Sequence, residues 1–82
     1  MKSPLAKSLV SKRSIAISGH QTSISLEPQF WKVLREIATE RRSTLQDLVT
    51  SIDHDRREAN LSSAIRVFVL EHYQNQLATR TP

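Results

Sequence analysis

The spacing of apolar positions changes several times along this chain, and each change marks an element. Arg13-Ser14-Ile15-Ala16-Ile17-Ser18 alternates, and Gln21-Thr22-Ser23-Ile24-Ser25-Leu26 alternates again, the period-two signature of half-buried strands. Between them stands Gly19-His20, and Gly19 is the one glycine of the chain. A glycine at the first central position of a two-residue loop suits a type II′ hairpin turn. In a hairpin closed that way Ile15 faces Ile24 and Ile17 faces Thr22. Ser14, Ala16, Ser18, Gln21, Ser23 and Ser25 then share the other side, a small polar face where a merely solvated strand usually carries Lys, Glu or Thr.

At Glu27-Pro28 the period lengthens. Proline is favoured in the first helical turn and cannot continue a strand ladder. Phe30, Leu34, Ile37 and Ala38, with Trp31 alongside, form the apolar stripe of a first helix. Arg41-Arg42-Ser43-Thr44 ends it, and Ser43 with Gln46, or Thr44 with Asp47, has the spacing of a capping box for a second helix. That helix carries Leu45, Leu48, Val49 and Ile52 and fades into the charged run from Asp53 to Glu58. Asn60 or Ser62 can cap a third helix running to about Ala78, and its Val67–Leu70 segment is apolar nearly all round. Such a helix must be covered on several sides, which points to a subunit interface.

Size points the same way. A chain of 82 residues buries a thin core, and without any cysteine neither a disulfide frame nor thiolate metal ligation can reinforce it. His20, His54 and His72 are scattered without a spacing that builds a metal site. No cofactor is expected, and a partner subunit is the remaining support.

The formal charge of +4 is unevenly distributed. Residues 1–20 hold Lys2, Lys7, Lys12 and Arg13 and no acid, whereas residues 21–82 hold eight basic and eight acidic side chains. Residues 1–11 read as a flexible basic arm on a domain spanning 12–79, and a basic arm on a neutral domain suits a polyanion, usually nucleic acid. No apolar run spans a membrane or forms a secretory signal. Leu5, Leu9 and Val10 give too little apolar face for an organelle transit peptide, and nothing routes the sequon-like Asn60-Leu61-Ser62 to glycosylation. A cytoplasmic protein is expected.

Thr22-Ser23-Ile24-Ser25-Leu26-Glu27, an amphipathic helix, and Arg42-Ser43-Thr44-Leu45 opening another together resemble the ribbon-helix-helix (MetJ/Arc-type) family. From Lys12 to about Leu77 the chain is similar to small bacterial ribbon-helix-helix domain proteins, through Gly19-His20, Thr22-Ser23, Leu26-Glu27, Phe30-Trp31 and Leu61-Ser62-Ser63-Ala64-Ile65-Arg66. The resemblance implies a mostly helical fold: a strand or hairpin followed by three helices, in an intertwined homodimer. It further implies a transcriptional regulator whose two chains pair strands antiparallel and lay the ribbon in the DNA major groove. Gln21, Ser23 and Ser25 would face the bases, Gln bonding bidentately to adenine and the hydroxyls donating or accepting. Lys12, Arg13, Arg42, Ser43 and Thr44 would meet phosphates, since a helix start leaves its first N–H groups unpartnered. Asn60-Leu61-Ser62-Ser63, preceding the third helix, is the other candidate helix start, and the short connection after Ala38 favours Ser43-Thr44. Ile24, Leu26, Trp31, Leu34, Leu48, Ile65, Phe68 and Val69 would form the dimer core.

One conflict is already visible. The major groove, about 12 Å wide, admits two strands and not four. If Arg13–Ser18 pairs with Gln21–Leu26, it occupies an edge that a partner needs. Either the first strand folds aside, or Gly19 is a bulge in one long strand, or the dimer is assembled differently, which would count against the DNA reading. The competing function is a dimeric protein–protein interaction module, antitoxin-like or adaptor, whose third helix grips a partner without binding DNA. RNA binding fits less well, because aromatics for base stacking are scarce. Catalysis fits least: there is no Cys, no Gly-rich phosphate loop and no grouping of Ser, His and acid.

Overall fold

The computed structural model describes residues 10–57 and 59–80. Most of the expected basic arm, residues 1–9, lies outside them. The element order is β1 (Ser11–Ile17), β2 (His20–Leu26), α1 (Pro28–Glu40), α2 (Leu45–Asp55) and α3 (Leu61–Arg80).

The two strands close into an antiparallel hairpin that pairs without interruption from Ile17↔His20 to Ser11↔Leu26. Gly19 is therefore no bulge, and β1 does not fold aside. The turn differs from expectation. Its central residues are Ser18 and Gly19, at φ 51° and 83°, so the glycine holds the second position of a type I′ turn, whose two positive φ angles match the twist of the flanking strands. Pairing moves by two residues as a result: Ile15 stands opposite Thr22, Ile17 opposite His20, and Arg13 opposite Ile24. Because the shift is even, every side chain keeps its expected face. Alternation specifies the face of a residue, whereas the turn specifies its partner.

Pro28 occupies the first turn of α1, after an extended Glu27. At the other end Arg42 takes the left-handed conformation, φ 55°. Its N–H donates to the Thr39 carbonyl at 3.0 Å and the Ser43 N–H to the Ala38 carbonyl at 2.8 Å, the paired bonds of a Schellman cap. α2 starts one residue later. Thr44 Oγ1 accepts from the Asp47 N–H at 3.0 Å, while Ser43 Oγ donates to the Thr44 carbonyl, so the Thr44/Asp47 spacing supplies the cap. Asn60 caps α3, its Oδ1 accepting from the Ser63 N–H at 3.1 Å.

The helices pack on one face of the hairpin. Ile24, Leu26, Trp31, Leu34, Ile37, Val49 and Ile65 are all but fully buried, Leu48 and Val69 join them, and Phe68 packs half-buried at the edge. The residues expected to form a dimer core thus lie in or against the core of the single chain. Each large aliphatic buried there contributes about 1.5–3 kcal/mol. Among the described residues no polar or charged side chain is buried. α3 outruns this core: Leu70, Tyr73 and Leu77 are 57%, 41% and 64% exposed.

Candidate nucleic-acid interface

With Ile15, Ile17, Ile24 and Leu26 turned to the core, the outer hairpin face carries Lys12, Ser14 and Ala16 from β1 and Gln21, Ser23 and Ser25 from β2. Lys12, Ser14, Gln21 and Ser23 are exposed; Ala16 and Ser25 are half-buried. No carboxylate occurs between Ser11 and Leu26. Ser14 and Gln21 are diagonal neighbours on this face, and the Ser14 hydroxyl donates to Gln21 Oε1 at 2.7 Å. Diagonal pairs are within reach of long side chains.

Arg13 points the other way. Its guanidinium lies 5.1 Å from the Trp31 ring centroid, and Trp31 Nε1 donates to the Ser11 carbonyl at 2.9 Å. The indole therefore ties β1 to α1, with arginine as its lid. Of the two basic residues expected at phosphates from this strand, only Lys12 shares the polar face.

Strand alternation also fixes which backbone groups are free. Ile17 and His20 flank the turn and pair with each other, and in an antiparallel ladder hydrogen-bonded residues alternate with non-bonded ones. His20, Thr22, Ile24 and Leu26 thus turn their N–H and C=O groups toward β1. Those of Gln21, Ser23 and Ser25 turn outward along the other edge of β2, which pairs with no strand among the described residues.

The hairpin is anchored at its far end by an ion pair that the sequence reading did not bring together. Arg66 Nη2 and Nε donate to Glu27 Oε1 at 2.8 and 3.1 Å, and the same guanidinium lies 5.7 Å from the Phe30 ring centroid. The Arg66 hydrogen bonds hold the Glu27 carboxyl below its ordinary pKa, and the backbone N–H of Glu27 itself adds to the effect. Both residues stood within recognisable motifs, Leu26-Glu27 and Ile65-Arg66, each beside a core aliphatic. That adjacency of a charge to a buried position was the available signal.

Arg42, Ser43 and Thr44 stay together at the α1–α2 junction. Arg42 and Thr44 are exposed and Ser43 is half-buried. The N–H of Asp47 is already satisfied by Thr44. At α3, Asn60 satisfies the N–H of Ser63 in the same way. His20 is exposed next to the turn. His54 meets its neighbour Asp55, Nδ1 to Oδ1 at 3.2 Å, and the described residues contain no group of three or more His, Cys, Asp or Glu placed to hold a metal ion. Arg66 also borders an apolar groove of about 430 Å³ lined by Phe30, Val67, Val69, Leu70 and Tyr73. Among the described residues no helix is long and apolar enough to cross a membrane.

A two-stranded ribbon backed by helices, with a polar outer face and an apolar inner one, defines the class, and residues 10–73 match the ribbon-helix-helix domain family. The chain belongs to that family. Among solved structures it is similar to an uncharacterized protein from Bordetella pertussis Tohama I, at 29% identity and a TM-score of 0.75, over 99% of this chain and 69% of that one. No curated protein matches it.

Proposed function

We propose that this chain is a sequence-specific DNA-binding protein and transcriptional regulator, which acts as a homodimer and sets the outer face of its hairpin in the major groove. The observation that carries this reading is the composition of that face. It is small, hydroxyl- and amide-rich and free of carboxylate, and its one charge is Lys12. Such side chains approach base edges closely and offer both donors and acceptors.

The hairpin changes how the ribbon is assembled. The free edge of β2 is the edge at which a second copy pairs, with Ser23 nearest the two-fold axis, giving the sheet β1-β2-β2′-β1′. Strands spaced about 4.8 Å apart make that sheet roughly 14 Å between its outer strands, wider than the groove of about 12 Å. The central β2 pair then enters the groove with Gln21, Ser23 and Ser25, and the β1 strands ride over its walls, where Lys12 meets phosphates. Arg42 and the start of α2 at Ser43-Thr44 supply further phosphate contacts, and Arg13 contributes by its charge from above Trp31. The exposed stripe of Leu70, Tyr73 and Leu77 and the adjoining groove favour a protein contact as well, which suits either the second subunit or a separate partner.

Fluorescence anisotropy of labelled mixed duplex DNA, titrated across a salt series, tests the proposal. Each phosphate neutralised adds about 0.9 to the slope of log K against log salt. We expect a steep slope and loss of binding in Ser23→Glu, which places a carboxylate at the centre of the face. Absence of binding at low salt would overturn the reading and leave the interaction module in its place.

A further inference from the structure

We propose that Ser14, a residue of β1, sets the base preference of Gln21 by holding its amide oxygen, so that Gln21 meets the groove as a donor and selects guanine over adenine. This inference rests on the DNA-binding reading above. A free glutamine is ambivalent: its Oε1 accepts while its Nε2 donates two hydrogens. Bidentate recognition of adenine uses both ends, accepting from N6 and donating to N7.

Here the acceptor end is engaged. The Ser14 hydroxyl donates to Gln21 Oε1 at 2.7 Å, between two exposed side chains on the groove-facing surface. That bond exists because the chain closes its own hairpin. Ser14 pairs with Ser23 and Ala16 with Gln21, which leaves Ser14 and Gln21 diagonal, and Ala16 is too small to separate them. The bond takes one of the two lone pairs of Oε1 and draws that oxygen toward Ser14, which leaves Nε2, with its two N–H donors, as the end of the amide that meets the groove. The matching edge is one that presents only acceptors, and guanine offers N7 and O6 side by side, while adenine puts a donor where O6 would be. No arginine on this face competes for that role. Ser14 is a positioning residue in this scheme, and Gln21 makes the contact.

The experiment is selection from a randomised duplex library by the full-length protein, followed by anisotropy on matched duplexes that differ by guanine or adenine at the enriched position. Wild type should favour guanine about tenfold, within the 1–3 kcal/mol that a good bidentate pair discriminates. Ser14→Ala should lose that preference or shift it toward adenine, with its melting temperature and its salt slope unchanged. Ser14→Thr, which keeps the hydroxyl, should restore it. Adenine selection by wild type, or an identical preference in Ser14→Ala, would overturn the inference while leaving DNA binding intact. Failure to enrich any sequence or to bind any duplex would overturn both.

Discussion

Arg42 occupies a backbone position that favours glycine, and replacing it separates stability from binding. Its φ of 55° is left-handed, which costs a residue with a β-carbon about 1–2 kcal/mol. The cap it completes uses only main-chain groups: its own N–H to Thr39 and the Ser43 N–H to Ala38. Arg42→Gly keeps both bonds and removes the steric cost. Glycine's greater freedom in the unfolded chain returns roughly 0.4–1 kcal/mol of that gain. The net expectation is about 0.5–1 kcal/mol of added stability, which raises the melting midpoint of a domain this size by about 2–8 °C. Affinity for DNA should move oppositely. On the proposed DNA-binding reading, which sets the Arg42 of each subunit of a dimer at a phosphate, two contacts are lost and the salt slope falls by about 1.8. Thermal melts by circular dichroism and anisotropy at several salt concentrations read the two effects separately. A melting temperature that stays put or drops in Arg42→Gly would refute the strain argument. A rise with an unchanged salt slope would remove Arg42 from the DNA surface.

Three further outcomes follow from the core and its anchors. Ile24→Ala should lose about 2–5 kcal/mol, and Ser23→Ala, one residue away on the opposite face, under about 0.5 kcal/mol; urea unfolding that ranks them otherwise would refute the assignment of faces. Because the folded state depresses the Glu27 pKa, the pair with Arg66 contributes fully above the ordinary glutamate range, and its contribution fades as the pH falls through that range to the folded value. Stability of wild type relative to Glu27→Gln should therefore be greatest near neutrality and vanish in acid, and a pH-independent difference would refute the linkage. Trp31→Phe removes the donor to the Ser11 carbonyl at a cost of about 0.5–1.5 kcal/mol for the hydrogen bond alone, together with faster amide exchange in β1; unchanged exchange there would show that the indole does not hold the strand.

Periodicity made the elements legible because most must bury one face: two alternating runs, two amphipathic stripes, a third helix capped at Asn60 and apolar nearly all round at Val67–Leu70, and the proline that stops the sheet at Pro28. The faces of Gln21, Ser23 and Ser25 were legible for the same reason. The turn was not, because Ser18 contributes a left-handed residue that serine seldom supplies, and a lone glycine does not reveal whether it stands first or second in the loop. The Glu27–Arg66 pair was hidden by sequence separation, since charge at two distant positions has no period to read. Nor did alternation reveal Arg13 lying over Trp31, although the face it implied was the one that Arg13 occupies. The Ser14–Gln21 hydrogen bond was hidden as well, because it joins diagonal neighbours on two strands, and diagonals are known only once the pairing is.

The hairpin has a kinetic consequence. Its strands are joined by two residues and its ladder is built from contacts close in sequence, the kind of structure that forms on a timescale of about 1–10 μs. A single strand that finds its ladder only in a second chain must be ordered during association, and that ordering opposes binding. Here the hairpin is shaped and docked on Trp31 within one chain, so the proposed encounter with a second copy or with a duplex would join surfaces that already exist. Assembly of this protein should then be governed by collision and orientation, with rates that depend on concentration and ionic strength rather than on a slow folding step coupled to binding.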